Sequence, residues 1–128
     1  MKSIFLVMAG GAIGAAMRHL LGSGLSRFSD QSGWPWGTFA ANISGGLAMG
    51  LFTAWLVTTG RGLDHDIRLF IGVGLLGGFT TFSAFSLEMA MMIERGAAMT
   101  AFAYAAASVV LALLAVFAGL AAGRAVFA

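Results

Sequence analysis

Gly77-Gly78-Phe79-Thr80-Thr81-Phe82-Ser83-Ala84-Phe85-Ser86 stands near the midpoint of a stretch that begins at Asp66 and ends at Glu94. As one continuous helix that stretch would be roughly 40 Å long, against a hydrocarbon core of about 30 Å. Two glycines followed by two β-branched threonines make poor helix. Two readings follow. In one, the helix breaks and leaves main-chain carbonyls unpaired in the membrane centre, which is tolerated only where protein or a bound ion satisfies them. In the other, the helix is kinked for packing, with threonine hydroxyls bonded back to the preceding turn.

The rest of the chain supports a membrane setting. Charge-free runs cover Ser3–Met17, Gln31–Gly60, Leu69–Leu87 and Gly96–Gly123. A spanning helix needs about 20 mostly apolar residues. Four helices are predicted, near 3–25, 35–58, 66–94 and 97–125, in a single all-α transmembrane domain over 1–128. The first includes Arg18 and His19 near its far interface. Ser29-Asp30-Gln31-Ser32-Gly33 reads as a turn cluster, with Pro35 in the first position of the second helix. Trp34 and Trp36 flank that proline as an interfacial belt. Asp64 or Asp66 can cap the third helix, and Glu94-Arg95-Gly96 turns into the fourth. Met1-Lys2-Ser3 before an apolar run mimics a signal peptide, but the run leads into Gly10-Gly11 and Arg18 without a clear cleavage site.

Composition excludes whole classes of function. Of the 128 residues 59% are hydrophobic and 9% charged, whereas a soluble domain carries roughly a quarter charged residues. An ordinary cytosolic enzyme, a disordered regulator and a nucleic-acid binder are excluded. The pI near 10 rests on a net charge of only +2, with no basic patch for a phosphate backbone. Cysteine is absent, and the two histidines, His19 and His65, lie far apart. The 19 glycines suit helices that approach closely in lipid.

Charge distribution bears on orientation. With four spans, Lys2, Arg61, Arg68 and Arg124 share one side, and Arg18, Arg27 and Arg95 share the other. Lys/Arg asymmetry normally commits topology. Four against three is nearly balanced, so the chain could insert both ways and pair as an antiparallel homodimer. If Arg18 does not count, a single orientation remains open.

A few polar and aromatic side chains could carry chemistry. Phe82 and Phe85 are three residues apart and share a helix face. Such rings usually face lipid or pack, but a ring edge is positive and could touch an anion. Asn42 is the only asparagine, inside the second span, with Gly46 and Gly50 following at four-residue spacing. It reads as interhelical glue or as a neutral donor. Tyr104 and Ser108, four apart on the fourth span, join Ser83 and Ser86 as sparse hydroxyl donors. Arg18 shares a face with Gly10 and Gly14; it either snorkels to headgroups or faces a water-filled vestibule. Glu88 lies well down the third span.

Three motifs in order carry a family resemblance across essentially the whole chain. They are Gly10-Gly11-Ala12-Ile13-Gly14-Ala15-Ala16-Met17-Arg18, Gly37-Thr38-Phe39-Ala40-Ala41-Asn42-Ile43-Ser44-Gly45, and the Gly77–Ser86 stretch. The sequence resembles the Fluc (CrcB) fluoride-channel family of bacteria. The resemblance implies an antiparallel dual-topology homodimer in the bacterial inner membrane, surrounded by lipid. It implies two pores and passive export of fluoride. Asn42 would donate to the ion, Phe82 and Phe85 would line the pore by ring edges, and Ser83, Tyr104 and Ser108 would add polar contacts. Arg18 would face the vestibule. A structural Na⁺ would sit on the two-fold axis, held by main-chain carbonyls of Gly77 and Thr80. Ala84 stands where the family usually has threonine, so that side chain offers no hydroxyl.

Two rival classes share the size and span count. A proton-coupled exporter of the small multidrug type needs a titratable carboxylate in mid-membrane, and only Glu88 is a conceivable substitute. A non-transporting assembly subunit would not require a broken helix with a polar seam.

Overall fold

The computed structural model describes residues 1–128. The chain is all-helical, and four helical stretches are long and apolar enough to cross a membrane. Helix α1 covers Lys2–Ser32 and α2 covers Trp36–Thr58. The third span, His65–Glu94, is assembled from pieces. These are a helical turn α3 (His65–Ile67), a wide-turned π-helical segment (Arg68–Leu76), a turn α4 (Gly77–Phe79) and helix α5 (Ser83–Glu94). Helix α6 covers Ala98–Phe127.

Helix α1 runs seven residues beyond the expected end near residue 25. The supposed turn cluster is helical because its serines satisfy themselves along the helix. Ser26, Ser29 and Ser32 donate to the carbonyls of Ser23, Leu25 and Phe28. The stop is Gly33 alone, at φ 72°, with its N–H on the Ser29 carbonyl. Pro35 precedes α2 rather than opening it. Asp64, one of the two expected caps, accepts from the Ile67 N–H at 3.3 Å. Asp66 instead pairs with Lys2, tying the start of α1 to the start of the third span.

Two seams of small residues set the frame. Helix α1 lies on the first half of the third span, and α2 packs most extensively on α6. At Gly14 a Cβ would stand 2.0 Å from the Leu75 carbonyl oxygen, and at Gly10 2.2 Å from that of Phe70. On the other seam, a Cβ at Gly50 would stand 2.2 Å from the Val116 oxygen and one at Gly119 2.3 Å from the Leu47 oxygen. Backbone therefore touches backbone, where dispersion is strongest and no rotamer entropy is lost. The Gly46 and Gly50 stripe, expected as a close seam, is one half of the α2–α6 contact.

The π-helical segment was not legible in sequence. Its Gly74 lies against α1 while Gly72 faces the Phe52 ring of α2, and its wider turns are closed by the Gly77 N–H on the Gly72 carbonyl. Only 16 of 128 residues are buried. A four-helix layer this thin leaves most of its apolar surface to lipid or to another chain.

The seam is directly testable. Gly14→Ala is expected to destabilise the purified protein by about 1–3 kcal/mol through overpacking, read as a lower melting temperature in detergent. Gly24→Ala, on the same helix with nothing within 4 Å, is expected to leave stability unchanged or slightly raised.

Candidate functional site

The third span does break. Helical geometry ends at Phe79, Thr80 is extended (φ −82°, ψ 157°), and helix resumes at Ser83. Thr80 keeps one feature of the kink reading, since its N–H and its hydroxyl both return to the Leu76 carbonyl, each at 3.0 Å. Past it, neighbouring spans take over. The Asn42 Nδ2 donates to the Thr81 carbonyl at 3.0 Å, and the Thr81 N–H donates to Asn42 Oδ1 at 2.8 Å. From the other flank Arg18 Nε donates to the Gly78 carbonyl at 3.2 Å. The Thr81 hydroxyl then accepts from the Ala84 N–H at 3.2 Å and starts α5.

Asn42 is thus glue, and it retains capacity. An amide carries two N–H bonds; one lies on Thr81, and no second acceptor is in reach. Arg18 is half-buried in the middle of a helix longer than expected, with a donor committed to the break.

A cleft of about 500 Å³ opens beside the break, and its lining includes Asn42, Gly77, Thr80, Phe82, Phe85 and Ser108. Six residues singled out in the sequence therefore converge. The Phe82 and Phe85 rings are neighbours at 5.6 Å. Phe85 is buried, whereas Phe82 is 79% exposed in the single chain. Ser108 is buried and its hydroxyl has no partner, a condition that costs about 1–3 kcal/mol unless something fills it. The Gly77 and Thr80 carbonyls accept no hydrogen bond within the chain. No cluster of three His, Asp or Glu side chains exists, so a cation here would rest on main-chain oxygen, and these two carbonyls offer it. Hard oxygen donors of this kind suit Na⁺.

Three other predicted residues lie outside that lining. Ser83 is exposed, with its hydroxyl 3.3 Å from that of Thr81. Arg18 is at the break but on its α1 flank. Tyr104 is fully buried behind Phe85, with ring centroids 5.1 Å apart.

Tyr104 introduces two residues whose roles sequence reasoning missed. Its hydroxyl donates to Glu88 Oε2 at 2.7 Å, and the Thr38 hydroxyl donates to Glu88 Oε1 at 2.6 Å. Both carboxylate oxygens are held, one from α6 and one from α2. The signal was present as matched spacing: Thr38 and Asn42 are four apart on α2, as Tyr104 and Ser108 are on α6. On each helix the first of the two polar groups, one turn apart, lies at Glu88 and the second at the cleft beside the break.

Comparison with known proteins places the chain in a family. Residues 5–120 match the family described as CrcB-like protein, Camphor Resistance (CrcB). A relative from Phenylobacterium zucineum (strain HLK1), named fluoride-specific ion channel FluC, is 56% identical over 128 residues, the whole of both chains. One of the same name from Caulobacter vibrioides (strain NA1000 / CB15N) is 51% identical over 128 residues, again the whole of both. Another from Sphingopyxis alaskensis is 53% identical over 121 residues, 94% of each chain. A broken third span clamped by Asn42 and Arg18, in a chain matched from residue 5 to residue 120, makes this multi-pass membrane protein a member of the CrcB-like family.

Proposed function

We propose that this protein is a fluoride-selective channel, not an enzyme, and that it exports cytoplasmic fluoride across the bacterial inner membrane by passive electrodiffusion. The observation that carries the reading is the cleft at the break. An amide N–H of Asn42, the rings of Phe82 and Phe85 and the unpartnered hydroxyl of Ser108 meet there without a fixed cation in the lining. The name borne by its relatives supports the same ion.

The chemistry follows from the ion. Fluoride is small and strongly hydrated, so a pore must replace its water with donors. Neutral amide, hydroxyl and ring-edge donors admit it without trapping it, as a mid-pore ammonium or guanidinium would. Chloride is larger and is stopped where Phe82 and Phe85 narrow the path. No coupling is required. Fluoride enters cells as neutral HF, ionises in the less acidic interior and leaves down the negative-inside potential. The rival proton-coupled exporter needs a free carboxylate, and both oxygens of Glu88 are already bonded.

The working unit in this reading is an antiparallel homodimer with two pores. Exposure of Phe82 and of the Gly77 and Thr80 carbonyl region supports it, because polar backbone cannot face lipid. A second chain related by a two-fold axis in the membrane plane would cover that face. The two carbonyls from each chain would then complete an oxygen cage around a structural Na⁺. With Arg18 committed to the break, the charges stand at four (Lys2, Arg61, Arg68, Arg124) against two (Arg27, Arg95); this is the count that leaves a single orientation open, so the antiparallel pairing rests on the exposed face at the break rather than on charge balance. A single cysteine at position 61 and another at 95 are each expected to label partly from either side of intact cells. Strict one-sided labelling of both would rule out dual topology.

Liposomes holding the purified protein are expected to release fluoride and retain chloride. Phe82→Ile and Phe85→Ile should lower fluoride flux at least tenfold while the dimer persists on gel filtration. Asn42→Ala should lose both flux and stability, the latter by about 1–3 kcal/mol for each Thr81 group left unpaired. Flux unchanged in the phenylalanine variants would return both rings to a packing role.

Sodium is tested separately. A cation bound only by the assembled dimer stabilises it by mass action. Replacing Na⁺ with a large organic cation should shorten the dimer's lifetime without altering anion selectivity. A density map of the dimer lacking an oxygen-caged ion beside Gly77 and Thr80 would exclude the site.

A further inference from the structure

Two buried side-chain polar atoms in the chain have no hydrogen-bond partner: Ser108 Oγ and Trp34 Nε1. Both are neighbours of Tyr104. Ser108 lies one turn along α6 from it and lines the cleft at the break. Trp34 meets the Tyr104 ring edge-on, at 5.4 Å and 86°, and lines a second cleft of about 310 Å³ with Asp30, Glu88, Met92 and Arg95. Four rings run unbroken between the clefts: Phe82 to Phe85 at 5.6 Å, Phe85 to Tyr104 at 5.1 Å, and Tyr104 to Trp34 at 5.4 Å.

The two orphan atoms therefore stand at the two ends of one block. That block, with Glu88 bonded to Tyr104, separates the cleft at the break from the cleft at the α1–α2 turn. An ion leaving Ser108 must pass it to reach the second cleft. Its one hydroxyl, on Tyr104, is turned to Glu88, so the next neutral donor in the block is the indole.

An indole suits the task. It has one N–H donor and no acceptor, so it binds an anion and offers nothing to a cation. It is also held rigidly. Phe39 meets the same ring edge-on at 5.4 Å and 84°, so the N–H cannot swing away to water. The other two tryptophans have different settings. Trp36 Nε1 donates to Ser32 Oγ at 3.0 Å, and Trp55 stacks on Phe52 beside Arg61. Pro35 also lines the second cleft, which puts the positive end of the α2 dipole there.

We infer that Trp34 Nε1 is a further donor to the permeating anion, the counterpart of Ser108, and that the Trp34–Glu88–Arg95 cleft is the vestibule it serves. This rests on the fluoride-channel reading above. Ser108 receives the ion on the break side of the aromatic block and Trp34 on the vestibule side. The lining carries one cation, Arg95, against two carboxylates, Asp30 and Glu88, so what this cleft offers an anion is the indole N–H and the start of α2 rather than net positive charge.

The test removes the N–H and keeps the shape. Trp34 is replaced by benzothienylalanine, isosteric with sulfur in place of the N–H, and in parallel by phenylalanine (W34F), in the full-length dimer in liposomes. Fluoride efflux is expected to fall about tenfold, the effect of one hydrogen bond, with chloride still excluded. W55F, outside both clefts, should match the parent protein. A second readout needs no flux. In protein carrying W36F and W55F, the remaining ¹⁵N indole resonance should shift saturably with fluoride and not with chloride. Efflux within twofold of the parent in the benzothienyl protein, or a resonance unmoved by fluoride, overturns the inference and leaves the N–H facing an aromatic ring. If the phenylalanine variant fails to assemble, the isostere and the resonance decide. A parent protein that carries no fluoride sinks the channel reading itself; an active parent with an equally active isostere sinks only the role of Trp34.

Discussion

A hydrocarbon core offers no water to an unpaired peptide group, and the main chain of the third span comes apart inside it. Everything around Thr80–Phe82 answers that constraint. Asn42 supplies an acceptor and a donor to Thr81, reproducing the pair of bonds a helix would have made. Arg18 supplies a donor to Gly78. The Thr81 hydroxyl opens the next helix. Removing any of these leaves a polar group without a partner in a medium where that is costly. The Gly77 and Thr80 carbonyls are left without a donor from within the chain.

Holding such a break open requires a frame that does not yield. The two glycine seams provide it, because backbone-to-backbone contacts have no flexible side chain to give way. One seam fixes α1, and with it Arg18, against the first half of the third span. The other fixes α2 to α6, and so sets Asn42 on α2 against Ser108 and Tyr104 on α6. The break is gripped from one seam on each side, and this is why its geometry follows from residues 30 to 60 positions away in the chain.

The polar groups are arranged by charge as well as position. The cleft at the break is lined by neutral donors and aromatic rings. The charged groups nearby are each engaged: Arg18 by a main-chain carbonyl, Glu88 by two hydroxyls. In the channel proposed above, such an interior would touch the anion through modest, similar interactions, the condition for passing an ion rather than storing it.

The amino-acid sequence alone determined the solvent. With 9% charged residues and four apolar stretches, no water-facing fold is open to it, and the Gly-Gly-Phe-Thr-Thr stretch locates the weak point of the third helix. Asn42, the phenylalanine pair and Ser108 were legible because each is a rare or patterned residue on an otherwise plain surface. The length of α1 was not legible, since serines that bond back along the helix look like turn formers. Nor was the π-helical segment, which packs between α1 at Gly74 and the Phe52 ring of α2 at Gly72. Only the tertiary structure decided that Arg18 reaches Gly78, that Thr38 and Tyr104 share the two oxygens of Glu88, and that Trp34 is left with an unpaired N–H. These are pairings between helices distant in sequence, and their physical cause is the approach distance of the two glycine seams, which no single helix encodes.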